Sequence, residues 1–138
     1  MKLLLDANVL LDVALDRAEF VADSKRVLLW CQDQPGSAVI AWHTISNVYY
    51  ILRGARSDSV ARRFILELLQ FAEIAGGDSE AVQRALALPM KDFEDALQVI
   101  AAVVSHVRWI VTRNAPDFRG SPLPALTPAD FVHRVFSP

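Results

Sequence analysis

Short apolar runs alternate with longer stretches of helical periodicity throughout the chain. Each run is rich in aliphatic or β-branched residues and is bounded by turn-forming residues, which is typical of buried strands. Strands that alternate with helices predict a parallel sheet with helices on both faces. We therefore expect an α/β fold, a three-layer α/β/α sandwich with a central, mainly parallel sheet of four or five short strands. The runs are residues 2–5, 38–41, 73–75, 109–112 and 123–126.

Several helices carry recognisable end signals. Ser57 and Asp78 are suited to cap helix N-termini, and Pro128 stands at the first position of a final helix. Gly54 is expected to end the helix that begins near His43. The stretch 92–105 is almost entirely apolar after an acidic first turn, which predicts a helix in the interior.

Composition restricts the class of protein further. A length of 138 residues suits one domain, 1–138, and 53% hydrophobic residues exclude intrinsic disorder. With 14 basic against 16 acidic residues, the chain lacks the basic footprint typical of nucleic-acid binders, so any such binding is local. Acidic residues interrupt the N-terminal apolar segment, and the only cysteine is Cys31. We therefore expect no membrane span, no signal peptide, no disulfide and a cytoplasmic location.

Polar residues collect where the predicted strands end. In parallel α/β sheets the functional groups gather beyond the carboxyl ends of the strands. That rule selects Asp6 and Asn8, the segment 43–47 and the segment 112–117. Asp92 and Asp95 add two acids at the start of the buried helix.

Each acid also has a purely structural interpretation. Asp6 can cap the helix that follows it, Asp92 and Asp95 can be a cap and a first-turn charge, and Asp117 can hold a turn. Capping does not require several segments to place acids at one edge of a sheet. Clustered carboxylates repel one another, and oxygen ligands without thiolate or clustered imidazole favour Mg²⁺ or Mn²⁺. Such an ion activates water and offsets phosphoryl charge, which points to phosphodiester hydrolysis.

Four segments, in order, resemble the PIN domain family. They are Leu-Leu-Leu-Asp6-Ala-Asn8-Val-Leu, Thr44-Ile-Ser46-Asn47-Val-Tyr-Tyr-Ile-Leu, Asp92-Phe-Glu94-Asp95-Ala-Leu-Gln and Val111-Thr112-Arg113-Asn114-Ala-Pro-Asp117-Phe. PIN domains are small α/β nucleases, and many are the VapC-type ribonuclease toxins of toxin–antitoxin operons. The resemblance thus implies a Mg²⁺- or Mn²⁺-dependent endoribonuclease, with RNA as substrate and a cognate antitoxin as a possible partner.

The resemblance also assigns roles to residues. Asp6 would be the first metal-binding acid and Asp95 the acid at the start of the buried helix, with Asp92, Asn114 and Asp117 completing the catalytic set and Asp117 serving as a further metal ligand. Asn8 and Thr112 would orient the first acid, and we expect Asn47 to orient the site as well. Arg113 is a candidate RNA contact because it adjoins the predicted site.

Two departures from the family pattern concern the acids. Asn47 stands where the family usually has Glu, and Asn114 stands where it usually has Asp. Each Asn keeps an oxygen ligand and loses the negative charge. Asp92 and Asp117 are the acids available to compensate.

Two alternative functions and a homodimeric assembly are also weighed. A PIN-like domain without catalysis would act as an RNA- or protein-binding module. A receiver-like signalling domain would need a Lys after its last strand, whereas lysines occur only at 2, 25 and 91. Apolar residues at the margins of the helical stripes predict a homodimer. They are Tyr50, Ile51, Ile65 and Leu69.

Overall fold

A computed structural model describes residues 1–137 and contains one wholly parallel sheet of five strands. The predicted three-layer α/β/α class is confirmed. Every expected strand is present, and the spatial order is β3-β2-β1-β4-β5. The strands are β1 Leu3–Leu5, β2 Ala38–Ala41, β3 Ala72–Ala75, β4 Trp109–Val111 and β5 Ala125–Leu126.

Helices occupy the connections between the strands. The expected N-caps at Ser57 and Asp78 are present, because each side chain accepts a hydrogen bond from the backbone amide three residues later. The expectation for Gly54 is wrong: the helix continues to Ala55, since the backbone at Gly54 stays helical and the C-cap is Arg56. The helices are α1 Ala7–Ala14, α2 Val21–Asp33, α3 Trp42–Ala55, α4 Asp58–Leu69, α5 Ser79–Ala87, α6 Phe93–Val104, α7 Pro128–Phe136 and a 3₁₀ helix Ala115–Phe118.

The alternation of side chains along each strand divides the interior into two layers. Leu3, Leu5 and Ile40 pack on one face against α1, α2, α3, α4 and α7. Leu4 and Val39 pack on the other face with α6. Among residues 1–137 no helix is both long and apolar enough to cross a bilayer.

The strand order determines where a site can form. The chain builds β1, β2 and β3 outward in one direction and then crosses to β4 on the other side of β1. Such a reversal opens a crevice at the carboxyl ends of the two central strands. Because Leu5 pairs with Val111, Asp6 and Thr112 leave the sheet side by side at that crevice.

Candidate functional site

An open groove lies at the carboxyl edge of the sheet, over the crevice between β1 and β4. It brings together residues from the ends of β1 and β4, from α3 and from the start of α6. Most of the predicted site residues thus converge from segments far apart in the sequence. The polar residues that line it are Asp6, Asn8, Arg17, Asn47, Asp92, Glu94, Asp95 and Asn114.

The Asp6 carboxylate is buried and accepts four hydrogen bonds. Oδ1 accepts from Ala7 N at 2.7 Å and from Gln98 Nε2 at 3.1 Å. Oδ2 accepts from Thr112 Oγ1 at 2.7 Å and from Asn8 Nδ2 at 3.3 Å. All four donors are neutral, so they stabilise the carboxylate without matching its charge. Asp6 therefore caps α1 and is also the central acid of the groove.

Gln98 joins the two principal acids. It is only 1% exposed, and its Nε2 donates to Oδ1 of Asp6 at 3.1 Å and to Oδ1 of Asp95 at 3.3 Å. Thr44 Oγ1 donates to the Gln98 Oε1 at 3.5 Å. Sequence reasoning missed Gln98, although a polar residue three positions after Asp95 on an otherwise apolar helix was a usable signal.

The Asp95 carboxyl group has a strongly perturbed pKa. Burial is the largest cause, and the negative charges of Asp6, Asp92, Asp117 and Glu94 add to it, so that the pKa rises from 3.8 to about 7. No positively charged side chain is among the causes. For Asp95, burial and repulsion from four neighbouring acids thus act in the same direction.

Glu94 is a second groove residue that sequence reasoning did not select. Asn47 Nδ2 donates to Glu94 Oε1, so the residue at the position of the usual family acid contacts an acid from the next segment. Asp92 acts as the N-cap of α6, where its Oδ1 accepts from Asp95 N at 2.9 Å. The capping role of Asp92 and its place in the groove are thus compatible.

The segment after β4 lines the groove and a neighbouring cleft. Thr112 Oγ1 accepts a hydrogen bond from Asn114 N at 3.1 Å, which ties Asn114 to the hydroxyl that contacts Asp6. Asp117 is exposed and lines the cleft beside the groove. The cleft also contains two cationic residues that sequence reasoning missed, and its charged residues are Lys91, Asp92, Asp95, Asp117 and Arg119.

Arg113 is turned away from the acids. Its Nε lies 2.9 Å from Oδ2 of the buried Asp12, and its guanidinium stacks 4.1 Å from the Phe20 ring. The side chain is 24% exposed, and it lines a pocket beside α2 and α7 and is not among the residues of the acidic groove. Its backbone amide donates to Asn8 Oδ1 at 3.2 Å, so Arg113 does contact a groove residue. Arg17, which also pairs with Asp12, is the arginine that lines the groove.

The donor set suits a hard divalent cation. Carboxylate and amide oxygens are the ligands that Mg²⁺ and Mn²⁺ prefer, and the groove supplies both kinds. Within residues 1–137 no three acidic, histidine or cysteine side chains lie close enough together to form a complete set of metal ligands. The residues thus fit such an ion by chemistry, and binding would have to draw them together.

The fold and the groove together define a class of protein: a parallel α/β domain that gathers carboxylates at the crevice where the strand order reverses. The chain belongs to the PIN domain family, because the family model described as PIN domain matches residues 2–115. This match confirms the resemblance found in the four sequence segments. No curated protein sequence gives a significant match.

Solved structures with the same fold include three toxin–antitoxin assemblies. VapBC2 from Rickettsia felis, bound to a DNA fragment from its promoter, has a TM-score of 0.68 and 14% identity, over 92% of this chain and 98% of that chain. A toxin-antitoxin complex from Klebsiella pneumoniae has a TM-score of 0.68 and 21% identity, with the same coverage. VapBC-1 from nontypeable Haemophilus influenzae has a TM-score of 0.67 and 15% identity, over 94% and 99%.

Proposed function

We propose that this PIN domain is a metal-dependent endoribonuclease. The observation that carries the proposal is the pair of carboxylates, Asp6 and Asp95, joined through Gln98 in a groove without a compensating cationic contact to either acid. A structural ion pair would place Arg or Lys between two such acids. Neutral donors instead leave a negative site that a divalent cation can complete.

Asp6 and Asp95 are the main proposed ligands of Mg²⁺ or Mn²⁺, and Asp117, Asp92 and Asn114 complete the site directly or through water. The ion would activate water for in-line attack and offset charge on the phosphate. Thr112, Asn8 and Asn47 orient the acids through the hydrogen bonds described above.

Cations beside the acids support a nucleic-acid substrate. Arg17 lines the groove, and Lys91 and Arg119 line the adjoining cleft. Positive side chains flanking a negative centre hold the phosphates on either side of the scissile bond. Arg113 remains a proposed RNA contact, through the guanidinium donors that Asp12 does not engage.

The cleavage experiment uses purified protein, mixed RNA and Mn²⁺. We expect Asp6→Asn and Asp95→Asn each to reduce cleavage at least roughly a hundredfold, because removal of one electrostatic catalytic group typically has this effect. Glu67→Gln is the matched control, since Glu67 is exposed on α4, away from the groove. Cleavage that survives both groove variants would assign the activity to another nuclease.

We further propose that the protein is the toxin of a toxin–antitoxin pair. The support is the shared fold with the three assemblies named above. An antitoxin arginine could pair with the groove carboxylates and exclude both metal and RNA. Co-expression with the product of the neighbouring reading frame should relieve growth inhibition. A neighbour that neither binds nor protects would end the toxin proposal and leave the nuclease proposal standing.

A homodimer is the proposed assembly of the protein. Tyr50 and Leu69 are exposed on α3 and α4, and the half-buried Ile65 lines the same pocket as both. Ile51 is exposed as well, but it lines the acidic groove. An apolar face of this kind is typical of an interface. Light scattering at micromolar concentration should give twice the chain mass, and Tyr50→Arg with Leu69→Arg should give the monomer. A monomeric unmodified protein would refute this assembly.

One observation favours the second candidate, a catalytically weakened binding module. Asn47 and Asn114 remove two charges from the groove, and no finished metal cage is present within residues 1–137. In the cleavage experiment a module would bind RNA or protein with no metal-dependent product. Detection of product that depends on Asp6 and Asp95 decides for the nuclease.

A further inference from the structure

Trp42 is the most exposed large apolar side chain of the described residues, at 74%. It is the first residue of α3 and directly follows β2. It therefore lies at the same carboxyl edge of the sheet as the acidic groove. The indole stands between two surfaces, because Trp42 lines both the apolar pocket beside Tyr50 and Leu69 and a slot beyond β3.

Trp42 forms one wall of a small slot of about 350 Å³ beyond the end of β3. Gly76 and Gly77 form part of the lining, and Ala81 and Ala101 contribute small side chains. The backbone amides of Gly76 and Gly77 donate no backbone hydrogen bond to another described residue. The slot thus combines an aromatic face with an otherwise mainly apolar lining, to which Val82, Leu97 and Ile100 also contribute.

The slot adjoins the acidic groove through a direct contact. His43, which lines the slot, has its Nε2 atom 3.2 Å from the backbone oxygen of Glu94, which lines the groove. Helix α6 is shared by both, because Asp95 lines the groove and Ala101 lines the slot. A chain molecule bound across the acids can therefore place a neighbouring group against Trp42.

We propose that the slot binds an unpaired nucleobase of single-stranded RNA, stacked on the Trp42 indole. Every base has a flat π face, and stacking on aromatic side chains is how proteins hold unpaired bases. The volume is at the low end of the range for small-ligand clefts and is too small for a partner helix. None of the described lining residues is acidic, so the slot lacks the repulsion that phosphates meet in the groove. The choice of RNA rests on the proposed function.

The test measures binding of a fluorescein-labelled oligoadenylate by anisotropy, in the Asp6→Asn background with Mg²⁺, so that the RNA stays intact. Trp42→Ala should weaken binding roughly tenfold or more, as loss of one stacked base does, and Trp42→Phe should retain most of the affinity. Phe136→Ala is the matched control, because Phe136 is a 48% exposed aromatic residue on α7, outside the slot, the groove and the proposed dimer face.

Two further measurements separate base stacking from other roles of Trp42. An abasic oligonucleotide with the same phosphates should bind equally to the protein that retains Trp42 and to the Trp42→Ala variant. Gly76→Leu should fill the slot while Trp42 remains, because a Cβ at Gly76 meets only the Trp42 Cβ, at 3.8 Å, and should weaken oligoadenylate binding as Trp42→Ala does.

Each outcome decides the proposal. Unchanged oligoadenylate affinity in Trp42→Ala refutes the proposal. An effect of Trp42→Ala on dimer or antitoxin binding alone also refutes it. Metal-dependent cleavage with no effect of Trp42 on binding refutes the slot and leaves the nuclease proposal intact. Trp42-dependent binding without cleavage refutes the nuclease and retains the slot.

Discussion

The protein buries carboxylates in two neighbouring regions and treats them differently. Asp12 is 0% exposed and lies 2.9 Å from Arg113 Nε and 3.3 Å from Arg17 Nη1, with Ser24 Oγ also at 3.3 Å. Asp6 is held by four neutral donors and faces Asp95, whose pKa is raised to about 7. Asp12 is paired with two arginines, whereas Asp6 and Asp95 are bridged by a neutral amide. The contrast marks Asp12 as structural, because its charge is matched by arginines of the same chain.

The largest expected effect is on the region around Asp12. Asp12→Ala leaves the partly buried Arg113 and Arg17 without their carboxylate and should cost about 3 kcal/mol of unfolding free energy, measured by urea denaturation. Asp58→Ala is the control, since Asp58 pairs with Arg62 on the surface and should change stability much less. Equal losses in the two variants would remove the distinction between the regions.

The next effect concerns Gln98, the neutral residue that joins Asp6 and Asp95 in the groove. Gln98→Met keeps the side-chain length and removes the donors to Asp6 and Asp95, which should cost about 2 kcal/mol in metal-free protein. Added Mn²⁺ should restore part of that loss, because a cation can replace the donated hydrogen bonds. Gln83→Met on the exposed face of α5 should leave unfolding unchanged, and an equal cost there would contradict a bridging role for Gln98.

A smaller effect follows from the raised pKa of Asp95. Folded protein holds the Asp95 proton up to about pH 7, whereas the unfolded chain releases it near 3.8. The protonated Asp95 therefore contributes fully to the free energy of unfolding below pH 3.8, and this contribution is lost as the pH rises through about 7. In EDTA, Asp95→Asn should match the unmodified protein at low pH and exceed its stability by about 1 kcal/mol at pH 8, a figure reduced for solvent screening of the half-exposed carboxyl group. Parallel stability curves for the two proteins would show that Asp95 does not titrate as stated.

The smallest expected effect comes from an extra carboxylate in the groove, which should increase the difference between the groove and the region around Asp12. Asn114→Asp places another carboxylate beside the cluster and should lower metal-free stability by about 0.5 kcal/mol. The same change should strengthen Mn²⁺ binding several-fold in isothermal titration, with Asn114→Ala showing no gain. A weaker Mn²⁺ affinity in Asn114→Asp would indicate that the oxygen atom matters more than its charge.

Local patterns in the sequence were sufficient to predict the strands and the edge where the acids meet. Leu3-Leu4-Leu5 followed by Asp6 is a buried strand that ends at a polar residue, and both features follow from hydrophobicity and chain direction. The end of the helix near Gly54 was not predictable to the residue, because glycine also adopts helical backbone and α3 ends one residue later, at Ala55. Arg113 was placed at the groove by its neighbours in sequence, yet its side chain turned toward Asp12 because a buried carboxylate requires a partner.

By itself the sequence determined the parallel α/β class, the strand positions and the convergence of Asp6, Asp95 and Thr112, because those depend on local periodicity and on the common direction of parallel strands. Only the tertiary structure decided that Gln98 joins the two acids, that Asn47 contacts Glu94, and that Trp42 stands exposed beside Gly76. These relations join residues far apart in the chain. Their distances depend on how α3 and α6 pack over the sheet, and no local pattern encodes that packing.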